Sequence, residues 1–236
     1  YIIYFYRLFK PQMKKAIYII LFFLLTGKLN AQVEWGIFAG PQITAARYTI
    51  LNEKQKQDPK YGFHAGVSLK IPFENKLFFS PEVFYSWKGY KVTFTQFVYP
   101  PGPKAKNNNT TIHTFELAAL LQYDFGKTPG HLYLKAGPSI DIQLFGKEKF
   151  DTTGGTVDRK MKFATDGDYG YFGGNLLLQL GYETKSGVFI SVQYTHGAAS
   201  INNEDGGPKI RHRVYGLTIG KFLNRKKIVI DTKNLE

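Results

Sequence analysis

The chain has 236 residues, is 43% apolar and carries a formal net charge of +13, with 20 Phe and 16 Tyr but no Cys. This length allows one domain with a substantial core. The absence of cysteine excludes a disulfide-stapled fold, a cysteine metal site and a lipid anchor on an N-terminal cysteine. Because aromatic side chains suit a pleated surface, the composition favours strands over helices.

The first thirty residues have the pattern of a secretory signal. The basic Met13-Lys14-Lys15 precedes an apolar run over 16–25, and the small residue Ala31 follows. This order predicts a signal peptide over 1–31 with cleavage after Ala31, and a retained membrane anchor is the alternative. Residues 1–12 precede the expected start at Met13, so their translation is an open question.

Removal of the signal segment lowers the net charge of the chain from +13 to +8, because the segment contains five basic residues and no acidic ones. A basic surface attracts anionic partners. For an exported protein we expect these partners to be acidic lipid headgroups or surface polysaccharide, and not nucleic acid.

Eight short alternating segments follow Gln32, with no run of 18 apolar residues among them. Most are about ten residues long, the length that a tilted strand needs to cross a bilayer. In the third segment Phe79 and Trp87 share one face while Glu82 and Lys88 share the other, as a period of two requires. The predicted strands are 33–45, 63–72, 77–88, 112–125, 131–145, 169–183, 188–196 and 211–222.

The connections between these strands alternate between long and short. The short ones carry turn residues and comprise 73–76, 126–130 and 184–187. The long ones comprise roughly 47–62, 89–111, 146–168 and 197–210. All long loops therefore fall at one end, which is typical of barrels with short periplasmic turns and long external loops. We predict an all-β fold, an eight-stranded antiparallel up-and-down transmembrane β-barrel over 32–222.

The alternation also predicts which face meets lipid. A barrel of eight strands has an interior filled by side chains, so we expect the polar faces inside and the apolar faces against hydrocarbon. Closure satisfies every backbone polar group, as a bilayer requires. Aromatic residues near the strand ends are expected to form interfacial girdles, namely Trp35, Phe79, Trp87, Tyr123, Phe125, Tyr169, Tyr171 and Tyr215.

Four motifs resemble a known family: GFHAGV at 62–67, FSPEVFYSWKG at 79–89, LYLKAGP at 132–138 and GVFISVQY at 187–194. They are similar to the PorT-like, porin-family outer-membrane β-barrel proteins of Bacteroidetes-type bacteria, over about residues 33–222. The resemblance implies residence in the outer membrane of a Gram-negative bacterium, contact with its lipid and with the barrel-assembly machinery, and a role in secretion, adhesion or envelope maintenance. Such barrels commonly end on an aromatic residue, here Phe222, which predicts a basic periplasmic tail over 223–236; the alternative is that the last strand ends further along the chain.

Charged residues on the predicted inward faces form the main candidate site. Buried charges are costly unless they are paired, so we expect partners inside the barrel. A polar plug that specifies closure is the structural interpretation, and catalysis or proton relay is the alternative. The predicted interior network comprises Glu82, Glu116, Lys135, Asp141, Lys88 and Arg213.

No catalytic, cofactor or metal site is predicted. The acidic clusters 166–168 and 202–207 lack the twelve-residue calcium pattern and are interpreted as loop tips. Histidines occur without a metal-ligand or catalytic spacing, at His64, His113, His131, His196 and His212.

These observations predict a non-enzymatic integral outer-membrane protein. Its external loops would meet a surface polysaccharide or a protein partner, above all the stiff basic stretch 99–106, for which an exposed spacer is the simpler interpretation. The alternatives are an outer-membrane enzyme acting on lipid or peptide, a narrow pore, and a soluble lipocalin-like barrel with a small apolar ligand inside.

Overall fold

The computed structural model describes residues 33–126, 130–164 and 167–225. None of these residues forms a helix long and apolar enough to cross a membrane. The strands are β1 (Glu34–Ile50), β2 (Glu53–Lys54), β3 (Lys56–Glu74), β4 (Leu77–Phe79), β5 (Glu82–Thr93), β6 (Asn107–Ala118), β7 (Leu121–Phe125), β8 (His131–Thr152), β9 (Gly155–Lys160), β10 (Phe172–Glu183), β11 (Val188–Gly197) and β12 (Lys209–Phe222).

Eight of these strands pair antiparallel in a closed ring. The order is β1, β3, β5, β6, β8, β10, β11, β12 and back to β1. The short strands β4 and β7 pair with each other and continue the ring between β3 and β8. Since each strand of the ring has a partner on both sides, the sheet has no open edge. The predicted eight-stranded antiparallel barrel is confirmed.

Two interruptions separate β4 from β5 and β6 from β7, where the sequence predicts single continuous strands. Pro81 lies in the first gap and has no backbone N–H to donate to the ladder. The backbone N–H of Ser80 instead donates to the carbonyl of Leu120, 2.8 Å away, across the second gap. The wall of the barrel therefore continues through both breaks.

The strands extend further outward than the sequence predicts. β1 and β2 meet at a tight turn around Leu51 and Asn52, both with positive φ, and β8 forms a hairpin with β9. Much of 47–62 and 146–168, predicted as loops, is therefore β-hairpin. These extensions are stable because they bury apolar side chains in a core of their own, described below.

The outside of the barrel is apolar, as predicted. Exposed aliphatic side chains such as Val67, Leu178 and Ile190 cover its middle. Seven of the eight predicted girdle aromatics are also exposed, and Tyr169 is the exception, with no exposed surface. The prediction for Tyr169 was wrong because β10 begins only at Phe172, and the preceding segment turns into the external end.

A separate hydrophobic core fills the external end of the barrel. It joins inward side chains of the extended strands, such as Tyr48, Tyr90 and Ile210, to residues of the connecting segments, such as Val98 and Tyr169. We call this cluster the external core. A second apolar cluster lies deeper inside and includes Phe84, Phe189 and Phe222.

Candidate functional site: a plugged interior and a capped external end

Buried ion pairs fill the barrel at three levels. At the periplasmic level Lys70 Nζ lies 2.7 Å from Asp124 and 2.9 Å from Glu183. At the middle level Lys135 Nζ lies 2.8 Å from Glu82. The carboxylate of Glu82 also accepts a hydrogen bond from Gln179 Nε2 at 2.8 Å. Each of these buried carboxylates thus contacts a lysine ammonium, as the cost of burying a charge requires.

The third level lies nearest to the external end. Lys88 Nζ donates to Glu116 at 2.9 Å and to Asp141 at 2.7 Å, and all three side chains are about 1% exposed. Ser139 Oγ donates to the other oxygen of Glu116. We call Lys88, Glu116 and Asp141 the outer network. It is formed by β5, β6 and β8, so it ties three neighbouring strands together on the inner side of the wall.

Five of the six predicted network residues lie in these buried clusters, but they form two separate groups. One group pairs Glu82 with Lys135, and the other is the outer network of Lys88, Glu116 and Asp141. The sixth does not belong to them. Arg213 points outward and, in the part of the chain that the structure describes, donates only to the backbone carbonyls of Gly197 and His212. Its assignment to the interior is corrected: inward positions on β12 are even-numbered, as the burial of His212 and Val214 shows.

The periplasmic level includes three side chains with metal-ligating atoms, Asp124, His131 and Glu183, within 4.8 Å of one another. Lys70 Nζ contacts both carboxylates of this group. Its ammonium supplies the positive charge that a cation would supply, so the geometry is that of a salt-bridged cluster. Arg225 adds a second contact to Glu183 from the chain that follows β12.

The other histidines lie on four different strands, His64 on β3, His113 on β6, His196 on β11 and His212 on β12. His64 bonds to Thr218 inside the barrel at 2.9 Å. His113 faces outward and stacks on Phe145, with ring centroids 4.3 Å apart. His196 faces outward on β11 beside Tyr194, with 3.0 Å between the hydroxyl and Nδ1. Among the described residues of the external rim, no serine hydroxyl is hydrogen-bonded to a histidine, which is the arrangement that a rim hydrolase would need.

Residues that the sequence analysis did not identify organise the external end around Glu148. Its carboxylate accepts hydrogen bonds from Arg159 at 2.7 Å, from Tyr169 at 2.7 Å and from Asn108 at 3.1 Å. We call these four residues the Glu148 cluster. Burial and the Glu148 charge raise the pKa of Tyr169 well above its ordinary value, which keeps the phenol protonated as a donor.

The segment 94–106, which we call the cap, covers the external core. Val98, Pro100, Pro101 and Ala105 are buried in this segment. The carbonyl of Pro101 accepts a bond from Arg159 Nη2 at 2.8 Å. The prediction of an exposed spacer at 99–106 was therefore wrong for the proline pair, which packs inward, whereas Tyr99 and Lys104 are exposed.

Asp168 links the loop after β9 to the cap. One of its oxygens lies 3.2 Å from Arg159 Nη2, and the other accepts a bond from the Tyr99 hydroxyl at 3.3 Å. In the loop before β12, the side-chain amide of Asn202 donates to the backbone carbonyl of Glu204 and accepts a bond from the backbone N–H of Glu204. The part of the cluster 166–168 that is described thus serves to hold the external end together.

A closed antiparallel ring with an apolar outer surface and a polar, charged interior defines an integral membrane β-barrel. It contradicts the lipocalin-like alternative, which requires an apolar interior and a polar exterior. The sequence matches the family model described as "Outer membrane protein beta-barrel domain" over residues 27–203, and the chain belongs to that family. Its location is therefore the outer membrane of a Gram-negative bacterium.

Several solved structures are similar to the chain. Neisserial surface protein A has 13% identity, with 79% of this chain and 97% of that one covered and a TM-score of 0.39. Ail, the attachment invasion locus protein of Yersinia pestis, has 13% identity, coverage of 80% and 98%, and a TM-score of 0.41. The N-terminal barrel domain of OprF from Pseudomonas aeruginosa has 12% identity, coverage of 79% and 97%, and a TM-score of 0.29. No curated protein matches the chain in sequence.

Proposed function

We propose that this chain is a non-enzymatic outer-membrane protein that does not conduct and that acts through its external surface. The observation that carries the proposal is that the lumen is closed in two places, inside the barrel and at its external end. Lys70 on β3 pairs with Glu183 on β10, which stands opposite β3 in the ring, and the cap packs on the external core. A barrel without a water path offers its outer surface to partners and its body to the envelope.

We expect no channel activity from the folded protein in a planar lipid bilayer. Buried ion pairs and packed aromatic residues occupy the lumen that hydrated ions would have to cross. Single-channel recordings should show a flat baseline across the voltage range used for porins. Reproducible conductance steps from the purified barrel would contradict the proposal and favour the narrow pore.

The cap is the part of the external surface best suited to a partner. It exposes two aromatic side chains, Phe97 and Tyr99, together with the basic Lys104 and Lys106. Aromatic rings offer a flat apolar face with little conformational entropy to lose, and lysines pair with acidic groups. Because the cap is pinned to the Glu148 cluster through Arg159, little ordering cost opposes binding. These features favour an acidic surface polysaccharide as the partner.

Truncation of the cap aromatics should weaken this binding by about tenfold or more, since exposed aromatic anchors of an interface contribute on the order of 2 kcal/mol. The test compares the wild type with Phe97→Ala/Tyr99→Ala in nanodiscs, with purified acidic capsular polysaccharide as the titrant. The matched control is Phe73→Ala, because Phe73 and Phe97 are similarly exposed, 70% and 72%, on opposite sides of the membrane. Equal binding by all three proteins would exclude the cap as the contact site.

The more specific assignments of subfamily, partners and activity remain predictions. Kinship with PorT-like barrels, and with it a role in secretion, rests on the four sequence motifs. Outer-membrane lipid and the barrel-assembly machinery are the further expected partners, and a protein partner at the cap is the competing occupant. An outer-membrane enzyme is the competing function, and turnover of lipid or peptide by the purified barrel would favour it.

A further inference from the structure

Three arginines lie together on the outward face of the external end. Arg47 on β1 is directly opposite Arg211 on β12, and Arg213 follows on the same face of β12. Arg213 is in turn opposite His196 on β11. Directly opposed side chains have Cβ atoms about 5 Å apart, so the charges of this arginine face are close.

No carboxylate of the described residues neutralises these arginines. Over the described residues, Arg47, Arg211 and Arg213 take part in no ion pair within 4.0 Å, whereas Arg159 and Arg225 each contact two carboxylates. Arg211 Nε is buried and has no hydrogen-bond partner in the described part of the chain. Like charges placed directly opposite in a sheet are unfavourable, so the arginine face is incomplete without an anion.

The side chains below the arginine face show its level relative to the membrane. Tyr194 and Tyr215 come next toward the periplasm, with ring centroids 5.0 Å apart. Exposed aliphatic side chains follow at Val192 and Leu217. The order from charge through aromatic rings to aliphatic surface is that of a membrane interface. The arginines therefore lie where the headgroups of the outer leaflet lie.

We propose that Arg47, Arg211 and Arg213 bind the phosphate groups of an outer-leaflet glycolipid. The planar guanidinium donates two parallel hydrogen bonds to a phosphate and is less strongly hydrated than an ammonium, which suits a partly desolvated interface. A lipid source is favoured over a free anion because the acyl chains of the same molecule would lie on Val192 and Leu217. The inference depends on the membrane placement of the barrel and is independent of the cap.

The test uses the full chain in phosphatidylcholine nanodiscs doped with diphosphoryl lipid A. Lipid retention is measured by native mass spectrometry after release from the nanodiscs. A charge-assisted hydrogen bond contributes about tenfold in affinity, so Arg47→Gln/Arg211→Gln/Arg213→Gln should retain at least tenfold less lipid A than the wild type. Dephosphorylated lipid A should bind wild type and variant equally weakly.

The matched control is Lys91→Gln/Lys147→Gln/Lys149→Gln, which removes the same charge from exposed positions on the extensions of β5 and β8. It should retain lipid A as the wild type does. The proposal is overturned if both triple variants lose lipid A equally, if the arginine variant loses none, or if inorganic phosphate displaces lipid A at equal phosphate concentration. Heat-modifiable gel migration of each variant shows that its barrel is folded. The loss of lipid A from the arginine variant is compared with the wild type only between proteins that show the same heat-modifiable shift.

Discussion

Replacement of Lys88 by methionine should destabilise the barrel by about 3–5 kcal/mol, because it leaves two carboxylates buried without a counter-charge. Glu116 and Asp141 both bind Lys88 Nζ, and neither side chain has access to solvent. The measurement is urea unfolding of the protein in lipid vesicles, followed by heat-modifiable gel migration. The folded band should disappear at a clearly lower urea concentration than in the wild type.

Two comparisons separate the loss of charge pairing from the loss of a side chain. The triple variant Lys88→Met/Glu116→Gln/Asp141→Asn should recover most of the lost stability, because neutral amides leave no unpaired charge. Lys91→Met changes an exposed lysine on the same strand and should alter stability by no more than about 0.5 kcal/mol. If Lys88→Met unfolds at the wild-type urea concentration, the outer network does not stabilise the closed barrel.

Replacement of Glu148 by alanine should loosen the external end while the membrane part stays folded. The change removes the acceptor for Arg159, Tyr169 and Asn108 and leaves the guanidinium without its closest carboxylate. With hydrogen bonds to charged groups worth about 1.5–3 kcal/mol each, the local loss is about 3 kcal/mol or more. Limited proteolysis should cut the cap many times faster than in the wild type, with the heat-modifiable shift retained.

The control for this prediction is Asp58→Ala, since Asp58 is an exposed carboxylate on the external extension of β3. Its proteolysis rate should equal that of the wild type. Equal cap cleavage in Glu148→Ala and the wild type would mean that the external core holds the cap without the Glu148 cluster. Loss of the heat-modifiable shift in Glu148→Ala would contradict the separation of the external end from the membrane part.

The period of two predicts the membrane part of this fold well, because burial alternates over most of the length of the strands there. Glu82, Glu116 and Lys135 point inward as the pattern requires. The same rule, applied consistently, would have placed Arg213 outside, since it lies two residues from Tyr215, which was assigned to the outer girdle. Charge suggested the interior for Arg213, whereas the headgroup region accommodates charge equally well.

Glu148 could not be found by the same rule. A β-bulge places both Leu144 and Phe145 on the outer face of β8, and the ladder with β6 shifts register at this point. Inward positions on β8 are odd-numbered before the bulge, as at Asp141, and even-numbered beyond it, as at Glu148. A bulge of this kind has no sequence signal in a single chain, so the alternation points to the wrong face for Glu148.

The prediction of an exposed spacer at 99–106 was also wrong because local sequence does not show the contacts of this segment. Runs of proline and lysine are typical of exposed extended linkers, and only long-range contacts reverse this expectation. The carbonyls of Pro100 and Pro101 are bonded by Tyr48 and Arg159, which are more than 50 residues away in sequence. The external core that these contacts complete was invisible to local pattern, although its residues Tyr48, Ile50 and Ile210 continue the alternation of β1 and β12.

The most direct test of this account is the accessibility of single cysteines, since the chain has none of its own. The positions are Lys104 on the cap, Ser186 in the turn between β10 and β11, and Leu178 on the outer wall. In intact cells a membrane-impermeant maleimide should label Lys104→Cys alone. Ser186→Cys should react only after the outer membrane is opened, and Leu178→Cys only after denaturation. Labelling of Leu178→Cys in intact membranes, or of Ser186→Cys but not Lys104→Cys in intact cells, would contradict the account.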